Sequence, residues 1–275
     1  MTDILTYDHL NSLELWQRMR TITLSQMRSV KLMNRIDTKY VLSYDEVLRL
    51  IAAAADNDYY VQIIDDVRAC RYLTLYYDTS EREMFRQHHN RKLCRQKLRT
   101  RTYVESNTTF FEIKNKSNRG RTTKRRTEIA SEHFNSFGRD CEAVKLLSAH
   151  SAYQLSELVP TLTTRFTRIT LVNPTLTERI TIDLELEYED MRSGKRASIP
   201  RMAIVELKQD GNITSLTKLL LRDMRIPPLK VSKYCLGTTL TVEGIKRNRM
   251  KEKLRAIEKR IGYGRVTTNN ATTNN

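Results

Sequence analysis

Between Arg95 and Tyr103 the chain carries a cation at every second position: Arg95, Lys97, Arg99 and Arg101. A strand turns successive side chains to opposite faces. A strand here therefore sends all four cations to one side and leaves Cys94, Gln96, Leu98 and Thr100 on the other. A second run, from Phe110 to Lys116, puts Glu112, Lys114 and Lys116 on one face and Phe111 and Ile113 on the other, and Lys124, Arg125 and Arg126 follow. Residues 91–126 hold 13 Lys/Arg against 2 acids, so about +11 of the chain's +16 net charge sits there. Like charges side by side on a sheet repel. A face of one sign is tolerable where a polyanion neutralises it.

The bulk numbers narrow the partners. A chain of 275 residues is enough for one large domain or two small ones. Its 29% charged residues and +16 charge predict an anionic partner: nucleic acid, phosphate compounds or a membrane surface. Cys70, Cys94, Cys141 and Cys235 are scattered, without a C-x-x-C pair. That suits a reducing compartment and speaks against a disulfide framework or a zinc site. No apolar run approaches the roughly 18 residues of a membrane-spanning helix, and the N-terminus does not read as a signal peptide. The expectation is a cytoplasmic protein.

Taken in order, the spacing of Leu13, Trp16, Leu24 and Met27 predicts a helix over 11–28. Residues 35–41 alternate, with Arg35, Asp37 and Lys39 on one face and Ile36 and Tyr40 behind them. Ser43 to Glu46 is a capping box opening a helix over 44–54. Residues 70–78 predict a strand. Residues 131–158 predict one or two helices, with Val144, Leu146, Leu147, Leu155 and Leu158 as apolar contacts and Pro160 ending them. Strands resume at 162–172, with Phe166 and Arg168 on one face, and at 178–188. In the latter, Arg179, Thr181, Asp183, Glu185 and Glu187 share one face and Ile180, Ile182, Leu184 and Leu186 the other. A strand over 202–209 sets Glu206 and Lys208 opposite Val205 and Leu207. A helix at 215–222 is stopped by Pro227 and Pro228, and a basic helix spans 248–261. The expected organisation is a single domain over 1–266 and a disordered Thr/Asn tail over 267–275.

Five strands thus have one charged and one apolar face: 35–41, 94–103, 110–116, 178–188 and 202–208. An ordinary half-exposed sheet gives its charged face to water. One geometry uses all five together: the sheet closes into a barrel with the charged faces inward and helices over the apolar outside. Closure also removes sheet edges. A charged lumen is costly unless its charges pair or hold a ligand. The chain has only 8 glycines, with no Gly-x-x-x-x-Gly-Lys-Ser/Thr loop and no Gly-x-Gly-x-x-Gly. Arg and Lys side chains must then grip phosphate in place of backbone amides. His88 and His89 are adjacent and point apart in a strand or loop, which makes a poor metal site; no His-Glu-x-x-His and no Gly-x-Ser-x-Gly is present.

Eight short elements, in order over about residues 35–236, resemble those of the vacuolar transporter chaperone (VTC) polyphosphate polymerases, within the triphosphate tunnel metalloenzyme superfamily. They are Arg35-x-Asp-x-Lys39-Tyr, Leu75-Tyr-Tyr-Asp-Thr79, Lys97-x-Arg99-x-Arg101-x-Tyr, Phe111-Glu-Ile-Lys114, Arg165-Phe-x-Arg168, Arg179-Ile-Thr-Ile-Asp183, Val205-Glu-Leu-Lys208 and Lys230-Val-Ser-Lys233-Tyr. The resemblance implies an α+β fold, a closed antiparallel eight-stranded β-barrel or tunnel with a charged interior and helices packed outside. It implies ATP as phosphoryl donor, inorganic polyphosphate as product and a divalent metal, manganese or magnesium. By motif position, Lys39, Arg99, Arg101, Lys114, Arg168, Arg179 and Lys233 are the implied catalytic phosphate contacts. Lys124, Lys208, Lys230 and Ser232 are implied substrate contacts, and Glu206 the implied metal ligand. Phe166 stands where a tyrosine is common. Arg35 stands where the hydrolytic relatives carry a glutamate, which weighs against a triphosphatase.

Arginine can hold two phosphate oxygens at once, which favours Arg99 and Arg101 as contacts. Glu206 is read as a metal ligand against a salt bridge to Lys208 or an arginine. Asp183, Glu185 and Glu187 stay open between further metal or water ligands and charge balance. Trp16 and Tyr40 read as packing, and the basic helix as a docking or polyanion-guiding surface. The expected function is metal-dependent polyphosphate synthesis from ATP. The alternatives are a hydrolase of triphosphate or nucleoside triphosphate, or a non-catalytic polyanion-binding module. The expected partners are ATP and polyphosphate or triphosphate, without specific nucleic acid or a membrane span of the chain's own. Membrane association through a membrane-protein partner is left open.

Overall fold

The computed structural model describes residues 5–29, 35–211 and 214–262. The expected Thr/Asn tail lies outside them. The strands are β1 Arg20–Thr23, β2 Arg35–Ser43, β3 Tyr60–Ile63, β4 Ala69–Asp78, β5 Arg95–Tyr103, β6 Thr108–Lys116, β7 Thr122–Ile129, β8 Val159–Val172, β9 Glu178–Asp190, β10 Arg196–Ser198 and β11 Met202–Asp210. The helices are α1 Tyr7–Asn11, α2 Tyr44–Ala55, α3 Glu83–His89, α4 Cys141–His150, α5 Leu216–Asp223, α6 Lys233–Thr241 and α7 Asn248–Ile261.

Eight strands form one curled antiparallel sheet in the order β2-β11-β9-β8-β4-β5-β6-β7. The architecture is α+β, as expected. The sheet differs from the expected closed barrel at one place. Among the described residues, β2 and β7, the two ends of this order, do not pair with each other. The segment after α5 instead crosses the open side. Leu229 donates its backbone N–H to the Lys39 carbonyl at 2.8 Å, and three residues on Lys97 donates to Ser232 Oγ at 3.1 Å.

Apolar alternation decides what covers the sheet. On the outer face of β2, β9 and β11, Tyr40, Leu42, Ile180, Ile182, Leu184, Ala203, Val205 and Leu207 are buried with Val47, Leu50, Ile51 and Ala54 of α2. Each such aliphatic side chain contributes roughly 1.5–3 kcal/mol by leaving water. The expected capping box starts α2: Ser43 Oγ accepts from the Glu46 N–H at 3.3 Å and Glu46 Oε2 from the Ser43 N–H at 2.8 Å. A second outer core joins Leu75, Leu98, Phe111 and Ile113 to Phe137 and to Ala143 and Leu147 of α4. Trp16 packs as expected, and its indole N–H is satisfied by the Leu10 carbonyl at 2.7 Å.

Three local expectations are corrected. Residues 11–28 are not a helix; short 3-10 turns flank strand β1, and Leu24 is left exposed. The first strand outcompetes helical spacing there because Arg20–Thr23 pairs in parallel with Tyr60–Ile63. Residues 131–158 hold one α-helix, α4, within the one or two expected, but Pro160 lies inside β8 instead of ending a helix. Lastly, β9 changes face midway. Asp183 is opposite Arg168 but Glu187 is opposite Arg165, so β9 carries one extra residue. Glu185, at φ 51°, absorbs it. Inward positions therefore run Arg179, Thr181, Asp183 and then Leu186 and Tyr188. Glu185 and Glu187 do not share a face with Asp183: Glu185 turns to the outer side, where Thr167 Oγ1 donates to it at 2.6 Å.

The bulge gives α6 a seat. Leu186 and Tyr188 join Leu162, Tyr234, Cys235 and Leu236 in an apolar cluster inside the curl. Gly237 touches this cluster so closely that a Cβ there would lie 2.4 Å from Tyr188 and 2.7 Å from Leu162. Tyr234 Oη donates to buried Asp78 at 2.5 Å, and Asp78 also accepts from the N–H groups of Met84 and Phe85 at 2.8 and 2.9 Å. One end of the curl is thereby filled with apolar side chains, and the rest stays open.

Candidate active site

The open part is a cavity of about 1400 Å³, larger than the ~300–1,000 Å³ of common small-molecule pockets. All twelve residues picked from the sequence line it: Lys39, Arg99, Arg101, Lys114, Lys124, Arg168, Arg179, Glu206, Lys208, Lys230, Ser232 and Lys233. They come from seven of the eight strands and from the Pro228–Lys233 segment. Strand parity puts them there. Each strand's odd-numbered or even-numbered side chains face the concave side, and their neighbours pack under α2 or α4.

Three carboxylates organise the cations, each between two. Glu112, fully buried, accepts from Arg99 Nε at 2.7 Å and pairs with Lys124. Asp183, 2% exposed, takes Arg168 in a two-pronged grip at 2.5 and 2.8 Å and pairs with Lys233. Glu206 pairs with Lys39 and accepts from Lys208 Nζ at 2.6 Å. Burial pushes each of these carboxyls up. The flanking cations overcome it and hold all three well below the usual carboxylate range. They stay ionised at any physiological pH. Glu206 thus makes the salt bridge to Lys208 that competed with the metal-ligand reading, and still lines the cavity. Asp183 is charge balance for Arg168 and Lys233.

Arg35 pairs with Asp37, and most of the other cations have no carboxylate partner among the described residues. Eighteen Lys and Arg side chains line the cavity against three carboxylates, Asp37, Asp183 and Glu206. Lys97 finds only the Ser232 hydroxyl. Arg101 finds the Thr74 hydroxyl at 3.0 Å and the faces of Tyr72 and Phe166, 5.6 and 5.7 Å from their centroids. Lys114 has no ion pair or hydrogen bond among the described residues. Its ammonium is pushed well below the usual lysine range by neighbouring Arg99, then by burial and Arg101. Burial lowers Lys97 to about 8, with Lys39, Arg99 and Arg95 adding to it. It lowers Lys208, Lys233 and Lys124 to about 8 as well, against their carboxylate partners. Cations held this close and this dry lower one another's charge until an anion arrives.

Two parts of the wall were not singled out from the sequence as site residues. Glu112 shares a face with Lys114 in the alternation, but only strand order brings it between Arg99 and Lys124. His88 and His89 belong to α3, not to a strand or loop, and both line the cavity. His89 Nε2 is 2.7 Å from Asn248 Oδ1, which ties α3 to α7. Burial, with Lys97, Arg95 and Lys253 nearby, lowers His88 to about 2, so it is neutral. The basic helix α7 supplies Arg249 and Lys253 to the cavity lining.

A divalent ion finds a limited donor set. No group of three His, Cys, Asp or Glu side chains that could hold one exists among the described residues. Of the carboxylates on the cavity wall, Asp37 keeps 35% of its side chain exposed, Glu206 19% and Asp183 2%. Glu206 is the residue that would hold a hard cation bringing most of its oxygen ligands with it on phosphate.

Among curated protein sequences none matches the chain. Solved structures with a similar path include a putative adenylyl cyclase from Hippeastrum described as having a dominant triphosphatase activity, at 15% identity and TM-score 0.49, covering 76% of this chain and 98% of that one. A putative adenylate cyclase from Vibrio parahaemolyticus is 13% identical at TM-score 0.44, with coverages of 75% and 99%. The PH1819 protein of Pyrococcus horikoshii is 13% identical at TM-score 0.42, with coverages of 74% and 98%. These likenesses are distant and the assignment does not rest on them. The VTC domain family matches residues 34–242, the span that contains all eight strands of the curl and every residue of the three ion-pair clusters. The chain belongs to the VTC domain family.

Proposed function

We propose that this domain is a polyphosphate polymerase that transfers the γ-phosphoryl group of ATP to the end of an inorganic polyphosphate chain. One observation carries the reading: a long cavity whose carboxylates are already neutralised by paired cations, leaving a further set of Arg and Lys with no partner. Such a lining suits a ligand made of repeated phosphates along its length.

The chemistry asks little of the protein beyond placement. The attacking group is a phosphate oxygen that is already anionic, so no general base is required. What limits the reaction is repulsion between two anions and the charge that builds on the transferred group. Arg101, Lys97 and Lys114 offer unpaired positive charge for this. Arg99, Arg168, Lys39, Lys124, Lys208 and Lys233 are held in fixed rotamers by Glu112, Asp183 and Glu206, so phosphate meets donors already in place. Arg179, on the β2 side of the cavity, and Lys230, on the crossing segment, extend the positive lining. The Ser232 hydroxyl, which accepts from Lys97 Nζ, keeps its own proton to give to a phosphate oxygen. A divalent ion held by Glu206 and the substrate phosphates would neutralise negative charge on the donor.

The test is purified protein incubated with ATP and Mn²⁺, the products resolved on a gel stained for polyphosphate and assayed for orthophosphate. Long chains that lengthen with time are expected. Orthophosphate without chains would make the domain a hydrolase. Neither product, with tight binding of polyphosphate, would make it a binding module.

A further inference from the structure

A channel for phosphate alone needs cations and hydroxyls, and gains nothing from exposed aromatic rings. Two rings packed beneath the cavity serve the cations. Tyr72 and Phe166 are buried and stacked, centroids 5.1 Å apart, and carry Arg168 and Lys233 within 4.8 and 4.4 Å of a ring centre. Tyr103, whose ring meets Tyr72 at 5.0 Å, and Phe110 differ in being open to the cavity. Both are half-buried, both line the cavity, and both lie at the end where the turn Val104–Asn107 joins β5 to β6. Their rings meet edge to face, 5.8 Å apart at 86°. From the next strand, exposed Arg126 lays its guanidinium 4.3 Å from the Phe110 ring centre. No ion pair holds Arg126 among the described residues.

The position is as informative as the chemistry. Phe110 lies opposite Arg101 in the β5–β6 register, one inter-strand step of about 4.8 Å away. Arg101 is one of the cations without a carboxylate. A planar group resting on Phe110 would therefore have its attached phosphates at the start of the cationic lining. We propose that Tyr103, Phe110 and Arg126 form a stacking shelf for the base of a nucleoside triphosphate, whose phosphates run inward past Arg101 toward Lys114. The proposal rests on the nucleotide-donor reading given above and adds the part of the donor that is not phosphate. Beside the shelf lie the hydroxyls of Tyr103, Ser106 and Thr108 and, opposite Phe110 on β7, the carboxylate of Glu128; Thr108 spends its hydroxyl on the Ser106 carbonyl at 2.9 Å. Stacking reads the face of a base, which adenine and guanine share, so ATP and GTP are expected to bind with similar affinity.

The experiment is isothermal titration calorimetry on the full chain with tripolyphosphate, ATP and GTP, using wild type, Phe110→Ala, Phe110→Leu and Phe110→Trp. Leucine keeps the bulk of phenylalanine and removes the π-face, so it guards against a packing defect in the alanine variant; a melting curve for each variant accompanies the titration. The alanine and leucine variants are expected to lose about tenfold in affinity for both nucleotides, to keep tripolyphosphate within about twofold, and the tryptophan variant to keep nucleotide binding. Equal losses for tripolyphosphate and nucleotides, or no loss of nucleotide affinity, overturn the shelf alone. A wild type that binds tripolyphosphate but neither nucleotide overturns the donor reading, and the shelf with it.

Discussion

Arg99 and Arg101 sit two residues apart on one strand face, yet they stand in opposite electrostatic situations. Arg99 compensates a carboxylate that has no access to water. Arg99→Ala leaves buried Glu112 with Lys124 as its one direct ion pair among the described residues, and breaking such a pair costs about 3–5 kcal/mol of stability, measurable in a urea melt. Arg101 makes no ion pair among the described residues, and its charge only adds to the field that Arg99 and Lys124 set around Glu112. Arg101→Ala should leave the melting temperature unchanged or raised, because it removes one of several mutually repelling cations. Triphosphate binding should weaken by about 1.5–3 kcal/mol, the worth of a charge-assisted hydrogen bond, read by calorimetry. If both variants behave alike, the division into paired and unpaired cations is wrong. Glu206→Gln tests the metal in the same way: Mn²⁺-dependent turnover should collapse while tripolyphosphate binding persists, because Lys39 and Lys208 lose their partner and remain. The ladder itself was legible because side-chain parity along a strand needs no knowledge of the fold. Which cation neutralises which carboxylate was not. Lys39 meets Glu206, 167 residues away, and only strand order brings them together.

At the scale of elements, the bulge in β9 is where reading by parity breaks down. A single residue in the left-handed region shifts everything after it to the other face. Glycine often marks such places; here Glu185 occupies it, and nothing in the local sequence distinguishes it from the acids on either side. The consequence is structural, since the shift brings Leu186 and Tyr188 inward to receive α6. Two substitutions probe it. Glu185→Val puts a β-branched residue at φ 51° and should cost about 1–2 kcal/mol, whereas Glu185→Gly should cost less despite losing the Thr167 contact. Gly237→Ala drives a methyl against the Tyr188 ring and should destabilise by about 1–3 kcal/mol through overpacking. A melting curve for Gly237→Ala that matches wild type would show that α6 is not seated as described. The helix ending expected at Pro160 failed for a related reason. Proline was read as a stop, yet β8 accepts it at its second residue, where a missing N–H is least disruptive to pairing.

The whole molecule carries its charge as a stored tension, and pH should show it. Lys97, Lys124, Lys208 and Lys233 titrate near 8 in the folded protein, against about 10.4 in an unfolded chain. Between those values the unfolded state binds more protons, so stability contributed by these groups rises with pH through that window. Below 8 they are charged in both states and the full repulsion remains. Affinity for a polyanion has the opposite sign: it needs the ammonium form and should fall as pH climbs through 8. Melting temperatures of the free protein at pH 7 and 9.5, beside tripolyphosphate titrations at the same values, should therefore move in opposite directions. A shared direction would mean that these lysines are not titrating in the cavity. At fixed ionic strength, triphosphate and long polyphosphate should raise the melting temperature well above matched simple salt. Duplex DNA, roughly twice as wide as the ~10 Å sheet spacing, should do so little.

The two unpaired edge strands have a further consequence for any polymer held inside. A cylinder sealed all round by a hydrogen-bonded ladder can be filled only by feeding in a free end. This wall has a seam between β2 and β7, and the strap across the open side is fastened at Leu229 to Lys39 and at Ser232 to Lys97. Parting those few contacts is a far smaller event than unzipping a strand, so a long chain can be laid in sideways, along its middle. A polyphosphate with both ends blocked by bulky groups should therefore bind as tightly as a free-ended chain of equal length. Rejection of the blocked chain in a competition assay would mean that the seam stays shut.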